Sequence, residues 1–460
     1  NIFESPKKDI NPTYATHFLN YKGVVSTEYL TNYVESHTDV GLIQDPVMNI
    51  HFLHFSISPS RMSIDYFEPK DQYYCSFDLN VSLREGERVI FQYSKKFPFY
   101  FDPDKVDLIQ TKGVAIQDAF PVIEGTYELS ILIQNSVGKE FSVFEKEIHV
   151  PEGTEGPRIL GPLVGYKLQD YPAHLHVPFK VLDKQLLVDP KATIAASEDI
   201  ALFFSVMGVS RDLWERGRVD VRVQGLKENN PSQKAVTLFL KDFPFHEVMA
   251  IKHAIPAKAV APDYYEIEVT LKDGEGTPLD QKAAHCIISP SEGVPHPVTL
   301  AKSFPLSNYY LFLYALAGEY EKKGRMDEAE TTFERAFSIR PDYHPGAVEV
   351  ARFLQRRGKY QESLEMIETV RDDGDLRFDY FLIKGLGYMG LEKYFAALDH
   401  LLEANKIYNS DVRLLNALGY CFYKTGEKQR ALEALRASLG LNPEQENVKA
   451  LIKRIEKDDG

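Results

Sequence analysis

Cysteine and tryptophan are scarce in this chain. Cys75, Cys286 and Cys421 are the three cysteines among 460 residues. An odd number with no short spacing excludes a disulfide framework and supplies no zinc motif. Cys75 falls in phase with the apolar residues of an alternating run, and Cys421 sits in a helical repeat, so both read as small buried hydrophobes. Long apolar runs are missing too. Ala201–Val209 and Tyr309–Gly318 are the longest candidates, well short of the roughly 18 to 20 residues of a membrane-spanning helix. Positive charge is in deficit, with 53 Lys and Arg against 67 Asp and Glu for a formal charge of -14. That balance argues against a nucleic-acid backbone or an anionic membrane surface as the main partner.

The motifs of common enzymes are absent as well. No phosphate-cradling Gly-rich loop, G-x-S-x-G elbow, H-E-x-x-H run or cysteine pair at metal spacing occurs. A noncatalytic protein without a cofactor is therefore expected, although loops on β scaffolds can gather active sites from distant residues. The first residue is Asn1, and no signal-peptide pattern follows. A processed product, a fragment or the visible part of something longer is the expectation.

With 44% hydrophobic and 26% charged residues, the composition is that of a globular protein with room for about three domains. Residues 47–151 read as all-β. Tyr73, Cys75, Phe77, Leu79, Val81 and Leu83 alternate with polar partners, the period of a strand with one buried face. A turn over Arg84 to Arg88 then predicts a hairpin. Tyr127, Leu129, Ile131 and Ile133 alternate again before a turn at Asn135 to Gly138 and a return over Phe141 to Val150. Residues 157–290 repeat the theme, ending in a hairpin over Ala261 to Leu271 and back to Pro290. In both segments a turn precedes a tyrosine that opens a late strand. This pattern resembles the tyrosine corner of Greek-key sandwiches, so two immunoglobulin-like sandwiches are expected. Residues 1–46 are left as an arm or the end of a preceding domain, with a short helix over Thr27 to Val34. Short Gly- and Pro-containing stretches at Pro151 to Pro157 and at 291–303 read as linkers.

Residues 304–460 carry a different signal. From Tyr310 a pattern recurs every 34 residues, restarting at His344, Phe378 and Val412. The first copy places Leu313, Leu316, Ala317 and Tyr320 ahead of Gly324, then Ala329, Phe333, Ala336 and Pro341. The fourth matches with Leu418, Gly419, Phe422, Gly426, Ala431, Leu435 and Pro443. Small residues at the eighth, twentieth and twenty-seventh positions let paired helices approach closely, while larger apolar residues fill the gaps. Glu446 to Lys457 supplies a capping helix, with Val448, Leu451, Ile452 and Ile455 on one stripe.

These positions resemble the tetratricopeptide repeat family, which implies an all-α solenoid of four repeats with a concave, ligand-binding inner surface. Carried over by repeat position, the family's contact sites fall on Leu311, Tyr314, Glu321 and Lys322, then Val348, Arg352, Gln355 and Arg356. The third repeat gives Asp379, Leu386 and Met389, and the fourth gives Arg413, Asn416, Tyr420, Tyr423 and Lys424. Arg and Tyr anchor interfaces more often than other residues. The carboxylate clamp of chaperone-tail binders is not reproduced, because Tyr314 and Gly318 stand at its first two positions. A protein or peptide bearing acidic and apolar side chains is expected there, unless the chain's own arm or a second copy fills the groove. Residues 47–290 also loosely resemble the β-rich part of bacterial GWxTD-type proteins, although the naming motif is absent. That likeness implies a bacterial, extracytoplasmic protein, with the cytoplasm as the alternative.

Other candidate sites have plainer explanations. His174 and His176 project from one strand face but need a third ligand, such as His285 or Asp170. His51 and His54 fall on opposite faces. The acidic runs at Asp372 to Asp375 and Asp273 to Glu275 read as solvated turns, Asn80-Val81-Ser82 as a chance glycosylation triplet inside a strand, and Trp214 as core packing. The expected function is therefore a noncatalytic protein-interaction scaffold. The alternative is an accessory or carbohydrate-binding module of an enzyme whose catalytic part lies elsewhere, which solvent-facing aromatic rows would favour.

Overall fold

A computed structural model describes residues 32–152, 156–227 and 233–457. It forms two compact units, one ending at Gly324 and the other running from Arg325. The first unit opens with β1 (Ser36–Asp45), β2 (Ile50–Pro59), β3 (Asp65–Phe67), β4 (Gln72–Glu85) and β5 (Arg88–Phe101). Helix α1 (Val106–Lys112), β6 (Val114–Val122), β7 (Gly125–Asn135) and β8 (Phe141–Val150) follow. Alternation in β4 and β7 buries the residues expected from sequence: Cys75, Phe77, Leu79, Val81 and Leu83 meet Tyr127, Leu129, Ile131 and Ile133 in one core. The β4–β5 turn is tight because Gly86 takes a φ of 59°, a left-handed conformation glycine adopts without steric cost. Strands β1, β2 and β6 form a facing sheet that closes this core. Residues from Ser36 onward therefore belong to the first β module and not to an arm. Of the helix expected over Thr27 to Val34, only Asn32 to Val34 lie within the described residues, and there Val34 donates to the Phe141 carbonyl at 2.9 Å.

The second module begins with β9 (Arg158–Gly165), β10 (Lys167–Asp170), β11 (Leu175–His176), β12 (Lys180–Val181), β13 (Lys184–Leu187) and β14 (Thr193–Ile194). It continues through β15 (Asp199–Met207), α2 (Arg211–Arg216), β16 (Arg218–Gly225), β17 (Gln233–Phe239), β18 (Met249–Pro256), β19 (Tyr264–Lys272) and β20 (Pro278–Ile288). One sheet runs β14-β20-β19-β16-β17 and the other β18-β15-β9. Val219, Val221, Val223, Ile267 and Val269 of the first pack on Ile200, Leu202, Phe204 and Ile251 of the second. In both modules a tyrosine hydroxyl binds backbone just upstream: Tyr127 donates to Ile123 at 3.0 Å and Tyr265 to Ala261 at 2.7 Å. Trp214 does pack structurally, its indole N–H donating to the Phe243 carbonyl at 2.9 Å.

Within this unit the two β modules are not beads on a string. Leu53, Phe55 and Ile57 of β2 face the first core, while Phe52 and His54 face the second module. With both faces covered, β2 and β6 are buried almost throughout, as strands in two-sided layers must be. The seam mixes apolar Ile43, Leu163, Phe179 and Phe203 with buried Gln44, His54, Ser205 and His176. The stretch 291–303 laces the modules together. Its β21 (Val298–Leu300) adds in parallel to β6, and directly after the stretch β22 (Phe304–Pro305) pairs with β11. His296 locks it down between Asp189 at 2.7 Å and Glu198 at 2.9 Å, stacked on Tyr166.

Helix α3 (Tyr310–Lys322), the first helix of the first repeat, belongs to this same unit. The second unit holds α4 (Met326–Ile339), α5 (His344–Arg356), α6 (Tyr360–Ile367), α7 (Arg377–Gly390), α8 (Tyr394–Ile407), α9 (Val412–Lys424), α10 (Lys428–Leu441) and the capping helix α11 (Glu446–Lys457). Small residues mark its close approaches. A Cβ on Gly385 would stand 2.5 Å from Leu401, and one on Gly419 2.5 Å from Leu435, so these glycines are required where the paired helix inserts a leucine. Val448, Ile452 and Ile455 of α11 are buried and close the last repeat. Among the described residues, no helix is long and apolar enough to cross a membrane.

Candidate functional site: the first helices of the repeats

Helices α5, α7 and α9 are successive neighbours, so side chains at matching repeat positions approach one another. Arg352 on α5 binds Asp379 on α7 at 2.5 Å and Glu349 on its own helix at 2.9 Å. Arg413 on α9 pairs with Asp411 at 2.8 Å and also feels Asp379 and Glu349, which help to raise its pKa behind the leading effect of the Asp411 hydrogen bond. The result is a row of alternating charge, Glu349, Arg352, Asp379, Arg413 and Asp411, running across three repeats. Gln355 adds a second tie, donating to the Ile383 carbonyl at 2.7 Å. Asn416 donates to Gln445 at 2.7 Å, joining the fourth repeat to the start of the cap.

The aromatic half of the expected site gathers around Lys424. Its ammonium lies 5.5 Å from the Tyr420 ring centroid and 5.6 Å from that of Tyr394, and the two rings meet edge to face. Leu386, Met389 and Tyr423 are half-buried against the core of the last two repeats, and Arg356 is exposed. Val348 is fully packed into the core.

The four first-repeat residues, Leu311, Tyr314, Glu321 and Lys322, belong to the first unit. Lys322 donates to the Ile90 carbonyl at 2.9 Å, and its own carbonyl accepts from Arg88 at 2.8 Å. Tyr314 is half-buried on α3. Lys322 is thus committed to the β layer, an outcome the repeat pattern could not foretell because it treats every first helix alike. Sequence reasoning also missed Glu349 and Tyr394. Both lie outside the repeat positions carried over from the family, so the resemblance does not point to them.

The remaining candidates resolve into structure. Asp373 caps a turn and pairs with His344 at 2.8 Å. Asp273 accepts the N–H groups of Glu275 and Thr277 within its hairpin turn. His174 is exposed and His176 buried, so the two do not share one environment. Burial pushes the His176 imidazole down to about 4, and its ring lies 4.8 Å from Phe52 and 6.2 Å from His54. No group of three or more His, Cys, Asp or Glu among the described residues has the arrangement to hold a metal ion.

Residues 311–343 and 351–446 match family models described as tetratricopeptide repeats. The helical end of the chain is therefore a tetratricopeptide array, as its period indicates. Similar solved structures include MamA 41-end from Desulfovibrio magneticus RS-1, 19% identical over 30% of this chain and 78% of that one, with a TM-score of 0.27. Another is TTC0263, a thermophilic TPR protein in Thermus thermophilus, at 20% identity over 33% and 83%, TM-score 0.30. A third is a chain of the APC/C hetero-tetramer Cut9-Hcn1, at 20% identity over 29% and 26%, TM-score 0.27. No curated protein sequence matches the chain.

Proposed function

We propose that this chain is a noncatalytic protein-interaction scaffold. Its repeats hold a peptide or partner protein along the first helices, and two immunoglobulin-like β modules space or dock the complex within a larger assembly. The observation that carries this reading is the row Glu349, Arg352, Asp379, Arg413 and Asp411, flanked by Lys424 on its tyrosines: both signs of charge and an aromatic platform lie along neighbouring helices. Such a surface suits a segment with acidic and apolar side chains. The tyrosines that bind upstream backbone in both modules support the immunoglobulin-like assignment. An extracytoplasmic site in a bacterium belongs to the same proposal. Purification of the tagged chain from its source, followed by mass spectrometry, tests the reading. A stoichiometric protein that is released when residues 325–460 are deleted supports it, and retention of that protein by the deleted form overturns it.

One observation favours a second reading, a sugar-binding module. On β3, β4 and β5 the rings of Phe67, Tyr74 and Tyr100 cluster at an exposed edge, Tyr74 and Tyr100 nearly parallel at 5.7 Å. Lys70, 4.9 Å from the Tyr100 centroid, already covers part of this surface, so the scaffold remains the preferred function.

A further inference from the structure

The first unit contains a cleft of about 660 Å³ where its two β modules meet, within the roughly 300 to 1,000 Å³ of ligand sites and at the kind of junction where such sites form. Its walls are strand edges. β1, β8 and β9 each end a sheet. β20 meets β14 only at Ile287 and Ile288, which leaves most of its outer edge without a strand partner among the described residues. All four strands contribute lining residues. Edges of this kind present unpaired N–H and C=O groups, the template for strand addition. The floor is fixed, because Gly41 brings β1 so close to β9 that an added Cβ would overlap Leu163.

The polar groups of the cleft differ in their commitments. Asp280 accepts the Ile159 N–H at 2.8 Å, His149 bonds Thr126 at 3.1 Å and His285 faces Glu266 at 3.4 Å. Asp39, which lines the cleft with apolar Val40, Leu160 and Leu163, accepts only the neighbouring Val40 N–H and has no side-chain hydrogen-bond or ion-pair partner among the described residues. Lys146, Arg158 and Lys282 line the same cleft, and of these Lys146 acts on the carboxyl through its charge. Burial pushes the carboxyl up to about 6 against that pull and a bond from the Val40 backbone.

We propose that this cleft is a second docking site, which takes an extended peptide as an added strand with a lysine or arginine side chain seated on Asp39. The carboxylate at the floor selects a cation and rejects an acid. The apolar walls receive flanking side chains, which alternate along an extended chain. The site is independent of the repeats and does not rest on the function proposed for them.

The test uses the full chain, fluorescently labelled, on an array of capped pentapeptides with randomised flanks and a central Lys, Arg, norleucine or Glu. The best binder is then measured in solution by anisotropy, beside a backbone N-methylated form. Basic centres should bind at least tenfold tighter than norleucine. N-methylation should cost at least tenfold, and binding should weaken as pH falls through about 6. Asp39→Asn, an isosteric change, should erase the preference for a basic centre. Because that variant could fold poorly, a photo-crosslinking residue in the peptide gives a second readout, which should label residues 39–42, 146–149 or 158–164. Absence of a basic preference, its survival in Asp39→Asn, or crosslinks confined to residues 325–460 would overturn the proposal.

Discussion

Glu319 accepts the backbone N–H of Ile123 at 3.0 Å, while its second carboxylate oxygen is buried without a hydrogen-bond partner among the described residues. Through this contact the first helix of the repeat array is bound to a β module, assisted by Lys323, whose ammonium lies 2.9 Å from Glu85. Burial pushes the Glu319 carboxyl up to about 8, outweighing the Ile123 N–H and the charges of Lys322 and Lys323. A raised carboxyl pKa means that the folded state holds the proton more tightly than the unfolded chain. Stability is then fully present below the unfolded value near 4.5 and is lost as pH rises toward about 8.

Glu319→Gln should therefore match the parent near pH 4.5 and exceed it at pH 8 by about 1 to 3 kcal/mol. The amide keeps an acceptor for Ile123 and removes the desolvated charge. Urea unfolding followed by circular dichroism across this range checks the prediction; a difference that does not grow with pH would show that the carboxyl is well solvated.

The buried histidines give a slope of opposite sign. His51 and His176 are both held down to about 4 and His54 well below its usual value, in each case chiefly by burial. His54 accepts the Phe179 N–H at 2.9 Å, so its neutral form is also hydrogen-bonded. Imidazoles that stay neutral in the fold stabilise it fully above pH 6.5, and that contribution is lost as pH falls toward 4, by about 1.4 kcal/mol per pH unit for each group. His176→Phe, set between Phe52 and Phe312, should flatten the acid limb. The variant should gain on the parent between pH 6 and 4.5 by about 1 to 2 kcal/mol, read from urea midpoints.

Much of this fold was legible because it rests on periodicity. Alternation located β4 and β7, and the repeat starts at Tyr310, His344, Phe378 and Val412 fall at or within one residue of the starts of α3, α5, α7 and α9. Neither signal reports which outer faces come together. β1 has weak alternation because Asp39, Gly41 and Ile43 face the second module, so its sequence reads as an arm. The stretch 291–303 reads as a linker because its prolines and glycine hide a short strand, β21, whose partner β6 is remote in sequence, and lead directly into β22, which pairs with equally remote β11. The charged row of the repeats was half visible. Repeat positions named Arg352, Asp379 and Arg413, but not that Arg352 would spend its charge on the next repeat.

One irregularity of the array predicts a stabilising change. Gly324, Gly358 and Gly426 occupy the same repeat position with φ of 77°, 75° and 87°, and in the third repeat Glu392 holds it at 59°. Its N–H still bonds Met389 at 3.0 Å, as the helix-ending turn requires. A side chain in the left-handed region costs about 1 to 2 kcal/mol, partly offset by the greater freedom glycine gives the unfolded chain. Glu392→Gly should thus stabilise the helical unit by about 0.5 to 1 kcal/mol in denaturant melts followed by the helical circular dichroism signal. Gly358→Ala should have the opposite effect.

Partner capture by the repeats is best probed with residues that the array does not need for itself. Arg352 is unsuitable, because its loss would strip Asp379 of its partner and loosen the seam between the second and third repeats. Arg413 and Tyr420 are better. Arg413 is exposed and bound mainly to Asp411, the residue that caps the start of its own helix α9, and the Tyr420 ring meets Tyr394 and Lys424. Truncating an anchoring Arg or Tyr typically costs about 2 kcal/mol, roughly thirtyfold in affinity. Arg413→Ala with Tyr420→Ala should therefore weaken capture of the co-purified protein by at least that factor without loss of helix content. The control is Arg335→Ala with Arg436→Ala on the second helices. Arg335 is exposed, and the 2.8 Å pair of Arg436 with Glu456 lies in solvent, where such pairs contribute little. Equal binding by the two double variants in a biolayer assay would remove the inner helices as the site and leave the β modules to hold the partner.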